Sequence, residues 1–330
     1  VPTISDVAKL SGLSKATVSR VINKHPYIAK EKRERVEQAM KELGYVPNPS
    51  ARRLRGSTTS TIGVIVPRIV NPFFSYLVNS IEQEAYKSNY QVLMFQSNEN
   101  KDKELYFLNL LKNRQVDGLI MTSIENDWDV IQPYTEFGPI VLCNEYLLHS
   151  KAPIVRLDQA KGAYIGTKHL IDKGHTKIAY CTGGLFADDG KDKDRNHGYQ
   201  QALTEAGLSI QTNWIFINKH TINDGKKVMK QMLSMDERPS AIFTGSDEIA
   251  AGVIMEAKEN GVRIPEDLAV IGFDDQPIAE IIEPKLTTIR QPINELGEKS
   301  VEQLIALMNS KDTDYNQIEL PVELLVRKST

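Results

Sequence analysis

Cysteine is nearly missing from this sequence: Cys143 and Cys181 are the only two in 330 residues. Each sits beside a strand-like apolar run, so neither a disulfide framework nor a zinc site is expected. No apolar run reaches membrane-spanning length and no secretory leader opens the chain, which makes the cytoplasm the expected compartment. The sequence has no G-x-x-x-x-G-K-[ST] phosphate loop and no G-x-S-x-G nucleophile turn. Its six histidines fall into no metal-ligand spacing. These absences leave no catalytic residues, no metal and no cofactor to expect, and they argue against an enzyme. A leucine heptad is missing near Leu325–Thr330, which favours a homodimer over a higher assembly.

Charge is short on one side as well, but only locally. Residues 1–56 carry 12 Lys/Arg against 5 Asp/Glu, whereas the other residues carry 28 against 38. A basic head on an acidic body points to a polyanion as partner of the head alone. At this length the chain can hold two or three domains with substantial cores.

The head contains the most informative stretch, Thr3 to Asn23. Ile4, Val7 and Ala8 place an apolar stripe on one short helix, and Val18, Val21 and Ile22 place one on a second. Gly12 permits the positive φ of a sharp turn between them, and Ser14 stands where an N-cap is wanted. That combination predicts a helix-turn-helix, whose second helix enters the DNA major groove. Lys15, Ala16, Thr17, Ser19, Arg20 and Asn23 are the side chains left over from packing. They offer hydrogen bonds to phosphates and purine edges and a methyl for thymine. An ordinary amphipathic hairpin is the plainer alternative.

A third helix is expected over 30–43, with Val36, Ala39, Met40 and Leu43 buried and Gly44 as its stop. Residues 48–56 then read as a helix of under two turns, with Asn48 as cap, Pro49 at the first position and Gly56 at the exit. Such a length is marginal alone in water. Leu54 among Arg52, Arg53 and Arg55 suits a wedge between base steps in the minor groove; a basic linker with a chance leucine is the other reading.

From Thr61 short apolar runs alternate with amphipathic helical stretches. The runs are 61–67, 90–97, 117–123, 138–145, 153–158, 178–183, 214–218, 240–245 and 268–275. Helices are expected at 74–88, 101–113, 129–137, 162–173, 197–206, 224–235 and 249–260. This alternation is the signature of doubly wound α/β layers, with parallel strands buried on both faces. Two series imply two lobes. In such sheets a ligand settles beyond the carboxyl ends of the strands. That rule selects Asn71, Phe73, Phe74, Thr122, Asn144, Glu145, Asp158, Asp247, Asp274 and Asp275. For each Asp, a helix cap or turn role is the alternative. Trp128 could stack on a sugar or pack in the core, and His169 and His175 read as structural.

The head resembles the lactose-repressor (LacI/GalR) family of bacterial transcription regulators. The likeness is carried by TISDVAKLSGLSKATVSRVIN, by ELGYVPN, and by the pattern N-x-x-A-R-x-L at Asn48, Ala51, Arg52 and Leu54. It extends over nearly the whole chain. The resemblance implies an all-α helix-turn-helix headpiece (1–47), a hinge helix and linker (48–60) and a two-lobed, periplasmic-binding-protein-like effector domain (61–330). Lobe one would take about 61–157 and 288–319, and lobe two about 158–287 and 320–330. It also adds Arg195, in Arg195-Asn-His-Gly-Tyr, and His220, Ser246 and Gln291 to the expected cleft.

The function implied is a repressor that binds a pseudo-palindromic double-stranded operator and is controlled by a sugar or sugar phosphate. Segments such as END-W-DVI and YTEFGPIVLCNE are similar to regulators of maltose or maltodextrin use. The stretch after Asn294 lacks the basic character of the surface on which some members dock a phosphorylated carrier protein. An extracytoplasmic type of sugar-binding protein is the competing function.

Overall fold

The computed structural model of the protein describes residues 2–23, 25–46, 59–147, 150–187, 192–309 and 317–330. Contacts divide the chain into two compact units, 1–59 and 60–330. The expected hinge helix, with Asn48, Arg52, Leu54 and Arg55, lies outside the described residues.

The first unit is three helices: α1 (Ile4–Ser11), α2 (Lys15–Ile22) and α3 (Lys30–Leu43). Asp6 ties the start of α1 by accepting from the backbone N–H and hydroxyl of Thr3 at 2.8 and 2.7 Å, a reciprocal cap for groups that have no partner inside the helix. Ser14 caps α2, accepting from the Thr17 N–H at 3.2 Å. Gly12 turns the chain between them at φ 65°, and Arg35 on α3 donates to the Ser11 carbonyl at 2.7 Å. A Cβ at position 12 would crowd that guanidinium. Val7, Val18 and Val36 meet with no exposure, flanked by Ala8, Val21 and Ala39. The apolar stripes read from the sequence are therefore the core of this unit. α3 begins after Ala29 without a side-chain cap and, as expected, stops at Gly44, φ 61°.

The second unit carries two six-stranded sheets. The first has the order β2-β1-β3-β4-β5-β11, from Gln91–Gln96, Thr61–Val66, Gly118–Met121, Ile140–Cys143, Ile154–Leu157 and Gln317–Leu320. All its pairings are parallel. The second has the order β7-β6-β8-β9-β10-β12, from Ile215–Phe216, Ile178–Cys181, Ala241–Thr244, Ala269–Asp274, Thr287–Arg290 and Glu323–Leu325. Only its β10–β12 pair is antiparallel. Helices cover the faces of each sheet and make separate apolar cores above and below it. Cys143 and Cys181 are both buried free thiols in these cores.

Several elements differ from expectation. β2 is an edge strand with Leu93 and Met94 about half exposed, so it is not buried on both faces. The helix expected over 129–137 is one α-turn, Trp128–Ile131, followed by a 3₁₀ turn, Gln132–Glu136. Pro133 lacks the N–H that an α-helix would need there. Residues 288–290, placed by expectation in lobe one, belong to β10 of the second sheet. β10, β11 and β12 form from segments of three or four residues, and β11 pairs with the distant β5. Residues Ile293–Asn309 form a helix that buries Leu296, Val301 and Leu304 in the first lobe. Among the described residues, no helix is long and apolar enough to cross a membrane.

Candidate functional site

The carboxyl ends of both sheets face one cavity of about 830 Å³. The first lobe contributes the ends of three strands. Arg68 follows β1, residues 124–127 follow β3, and Asn144 and Tyr146 follow β4. It also contributes Phe73 and Phe74, at the start of the helix Pro72–Lys87 that Asn71 caps by accepting from the Phe73 N–H. The second lobe contributes Gln159, Gly183–Leu185 after β6, Asp192–Arg195, Asn218–His220 after β7, Gly245 and Ser246 after β8, and Asp274 at the end of β9.

A continuous polar network forms the back of this cavity. Arg195 Nε donates to Gln159 Oε1 at 2.5 Å, and its Nη1 donates to the Gly245 carbonyl at 2.9 Å. The guanidinium lies 3.9 Å from the centroid of the Phe273 ring, a cation–π contact that fixes its plane. Gln159 Nε2 donates to Gln291 Oε1 at 3.1 Å and reaches Asn144 Oδ1 at 3.4 Å. Gln291 and Gln276 in turn donate to the two carboxylate oxygens of Asp274. Asn144 and Asp274 both hold positive φ, 69° and 106°, a backbone cost accepted where side chains must be aimed.

The spacing Arg195-x-x-Gly198-Tyr199 has a mechanical reason. Gly198 lies where the helix Lys193–Glu205 crosses the helix Gln159–Asp172, and a Cβ there would overlap the Ala160 carbonyl. The glycine thus permits the close crossing that brings Arg195 against Gln159. Tyr199 is buried, and its hydroxyl donates to the Ile178 carbonyl at 2.9 Å, anchoring the same helix to β6.

Besides the contact of Gln159 with Asn144, Arg68 and Tyr146 also join the lobes across the cavity. Arg68 donates to Glu99 at 2.8 Å and reaches His220 Nδ1 at 3.0 Å. A guanidinium can only donate, so His220 meets it as a neutral ring. Burial, and then Arg68, hold the His220 pKa below its ordinary value. Tyr146 donates its hydroxyl to Asp194 at 3.0 Å.

Asp274 is buried, and burial pushes its pKa up to about 7 despite Arg195 and the two amide donors. Asp247 is fully buried and raised well above the usual carboxylate range, by burial first and then by Asp274.

Of the fourteen side chains expected at the cleft, Asn71, Phe73, Phe74, Asn144, Glu145, Arg195, His220, Ser246 and Asp274 line it. Thr122 does not, because its hydroxyl donates inward to the Ile65 carbonyl at 2.9 Å. Asp158 is the N-cap of the helix Gln159–Asp172, accepting from the Lys161 N–H at 2.9 Å. Asp247 turns into the second lobe, where it accepts from Thr288 at 2.5 Å and from the Gln276 N–H at 2.6 Å. Gln291 stands behind the lining and holds Asp274 and Gln159. Asp275 forms ion pairs with Arg290 and Arg327. Trp128 packs into the first-lobe core. His169 and His175 bond to Thr330 and Ser240.

Sequence reasoning passed over Arg68, Glu99, Tyr146, Gln159 and Asp192. Arg68 and Tyr146 lie just beyond strand ends, so the strand-end rule, applied a few residues further, reaches both.

In the first unit, α2 turns Val18 and Val21 inward and leaves Lys15, Ala16, Arg20 and Asn23 exposed, with Thr17 and Ser19 partly so. Thr17 shares a hydrogen bond with the Ser14 hydroxyl at 2.9 Å, which stiffens the first turn of α2. This is the exposed polar face that a groove-entering helix requires.

Comparison with known proteins agrees with both halves. Residues 3–48 match the family described as bacterial regulatory proteins, lacI family, and residues 59–328 match periplasmic binding proteins and sugar binding domain of LacI family. The NTD biosynthesis operon regulator NtdR of Bacillus subtilis (strain 168) is 43% identical over 331 residues, covering 100% of both chains. A LacI family regulator from Lactobacillus casei, solved with bound sucrose, is 31% identical. It superposes with a TM-score of 0.76 over 82% of this chain and 99% of its own. A lac repressor dimer solved on operator with the anti-inducer ONPF is 28% identical, with a TM-score of 0.86 over 99% of this chain and 98% of its own.

Proposed function

The chain belongs to the LacI family of bacterial regulatory proteins, and from that membership we propose a repressor whose hold on operator DNA is set by a sugar bound between its two lobes. The observation that carries this reading is one chain holding both a helix-turn-helix with an exposed basic face and a two-lobed cavity lined by Arg195, Asp274 and Phe73. The relative solved with sucrose and the one solved as a dimer on operator support the same pairing of partners.

In this reading two copies present α2 to the half-sites of a pseudo-palindrome. Lys15, Thr17, Ser19, Arg20 and Asn23 read or grip the major groove, and Ala16 meets thymine methyls. By their sequence, Asn48, Arg52, Leu54 and Arg55 serve the minor groove between the half-sites. The sugar's hydroxyls donate to Asp274 and accept from Arg195 and Asn144, while Phe73 gives its ring an apolar wall. His220 and Ser246 complete the second-lobe side. Thr122, Asp158, Asp247 and Gln291 act behind these groups.

A ligand that bridges the lobes favours one of their relative positions. A differential affinity of about 5.5 kcal/mol is enough to carry a two-state equilibrium from 1:99 to 99:1. The test is retardation of duplex fragments from the gene's own neighbourhood, with and without each member of a sugar panel. The expected result is specific retardation that one sugar shifts at least tenfold. Retardation that no sugar changes would overturn the effector half of the reading, and none at all would overturn the repressor.

A further inference from the structure

The charge inside the cavity says more about the ligand than its shape does. Among the described residues, the lining carries seven carboxylates against four Lys or Arg side chains. Three of those cations already have partners. Arg68 pairs with Glu99 at 2.8 Å. Lys193 stands 4.5 Å from the Tyr146 ring centroid. Arg195 is held by Gln159, the Gly245 carbonyl and Phe273. Even with Lys193, Arg195 and Lys219 at full charge, the carboxylates outnumber the cations.

Besides Glu99, Asp194 has a cation in reach, Arg156 at 3.8 Å; Asp192 and Asp274 are served differently. Asp192 accepts from the Thr182 hydroxyl and from the Gly184 N–H at 2.6 Å, and Asp274 accepts from two side-chain amides. All four donors are neutral, so they orient the oxygens without cancelling the charge of Asp192, or of Asp274 once it ionises above about pH 7. Helix N-termini, the usual remedy for a bound phosphate, are also answered from within. The helix Asp247–Glu259 carries Glu248 in its own first turn, and Asp194 stands in the first turn of the helix Lys193–Glu205.

Resting on the sugar reading above, we infer that the cleft selects a ligand without negative charge and rejects phosphorylated and carboxylated sugars. Oriented anionic acceptors match the O–H donors of a polyol, or an ammonium group, and repel a phosphate or uronate at the same place. This removes the sugar phosphates from the partners that the sequence left open.

The experiment is isothermal titration of the full chain, at about 50 mM salt, with matched compounds: glucose, glucosamine, glucose 6-phosphate and glucuronate, and sucrose with sucrose 6-phosphate. The expected result is binding by an uncharged or amino compound, with its phosphorylated or acidic counterpart at least tenfold weaker. Replacing Asp192→Asn should narrow that gap, because the amide keeps the shape and removes the charge. A phosphorylated or acidic compound that binds as well as its neutral counterpart, or better, would overturn the inference and leave the sugar reading intact. Binding by none of the six, with operator retardation unimpaired, would overturn both. A gap that Asp192→Asn leaves unchanged would remove Asp192 as its cause and so contradict the electrostatic argument.

Discussion

The two lobes share one sheet plan, six strands in equivalent order, yet they bring different chemistry to the cavity between them. The first offers the Phe73 and Phe74 rings, the Asn144 amide and a rim of loop residues after β3. The second offers Arg195, Asp274, Ser246 and His220, with Gln159, Gln276 and Gln291 bracing them from behind. The second lobe therefore holds a polar wall braced by its own side chains, and the first faces it with two rings, Arg68, single hydrogen bonds and the loop carboxylates of Glu99, Glu125, Asp127 and Glu145. Pre-organisation matters because a polar group already fixed in place loses little on binding.

The sharpest way to break this contrast is to remove one polar contact from each side. Arg195→Ala should weaken effector binding at least a hundredfold in calorimetry, since the guanidinium holds Gln159 and, in the proposed site, the ligand as well. Asn144→Ala should cost about tenfold or less. Equal losses would mean that the lobes share the ligand evenly.

Gly198→Ala comes next. The added methyl has the Ala160 carbonyl in its way, so the two second-lobe helices must separate, at about 1–3 kcal/mol for an overpacked crossing. Thermal unfolding should show the lower Tm, and effector affinity should fall with it. A methyl at Ala206, beyond that crossing, should do neither; Ala206→Val is the control.

How far these residues could be read beforehand follows the same contrast. The headpiece was legible because its signals are local: Gly12, Ser14 and the Val18/Val21 stripe lie within one turn-linked pair of helices. Strand ends were legible too, which found Phe73, Asn144 and Asp274. Which residue after a strand faces the cavity was harder. Asp158 and Gln159 are neighbours, yet one caps the helix and the other meets Arg195, because successive helical positions point about 100° apart. Asp247 misled for the same reason. β11 escaped because its partner β5 is remote in sequence, and β10 and β12 escaped because their few residues, TTIR and ELL, make no apolar run.

The pH response should be smaller than either substitution. Folded Asp274 has its pKa raised to about 7, whereas an unfolded Asp titrates near 3.8. Between those values the native state holds the extra proton, so stability falls as pH rises from about 4 to about 7. Effector hydroxyls donating to Asp274 favour its ionised form, so affinity should strengthen as pH rises through about 7. Asp274→Asn should flatten that affinity profile; an unchanged slope would place the proton on another group. The smallest effect belongs to Thr122→Val, which removes a hydrogen bond to Ile65 worth about 1 kcal/mol of stability. Because Thr122 does not line the cavity, effector affinity should stay within twofold. A larger change would put its hydroxyl in reach of the ligand.

The most direct trial of the whole account is an operator titration of Asp274→Ala beside the unaltered protein, each with and without the sugar that shifts the latter. Equal operator affinity is expected for the two proteins without sugar, and no sugar-dependent shift in the variant. A shift of ordinary size in Asp274→Ala would contradict the claim that the second lobe's polar wall is what senses the ligand.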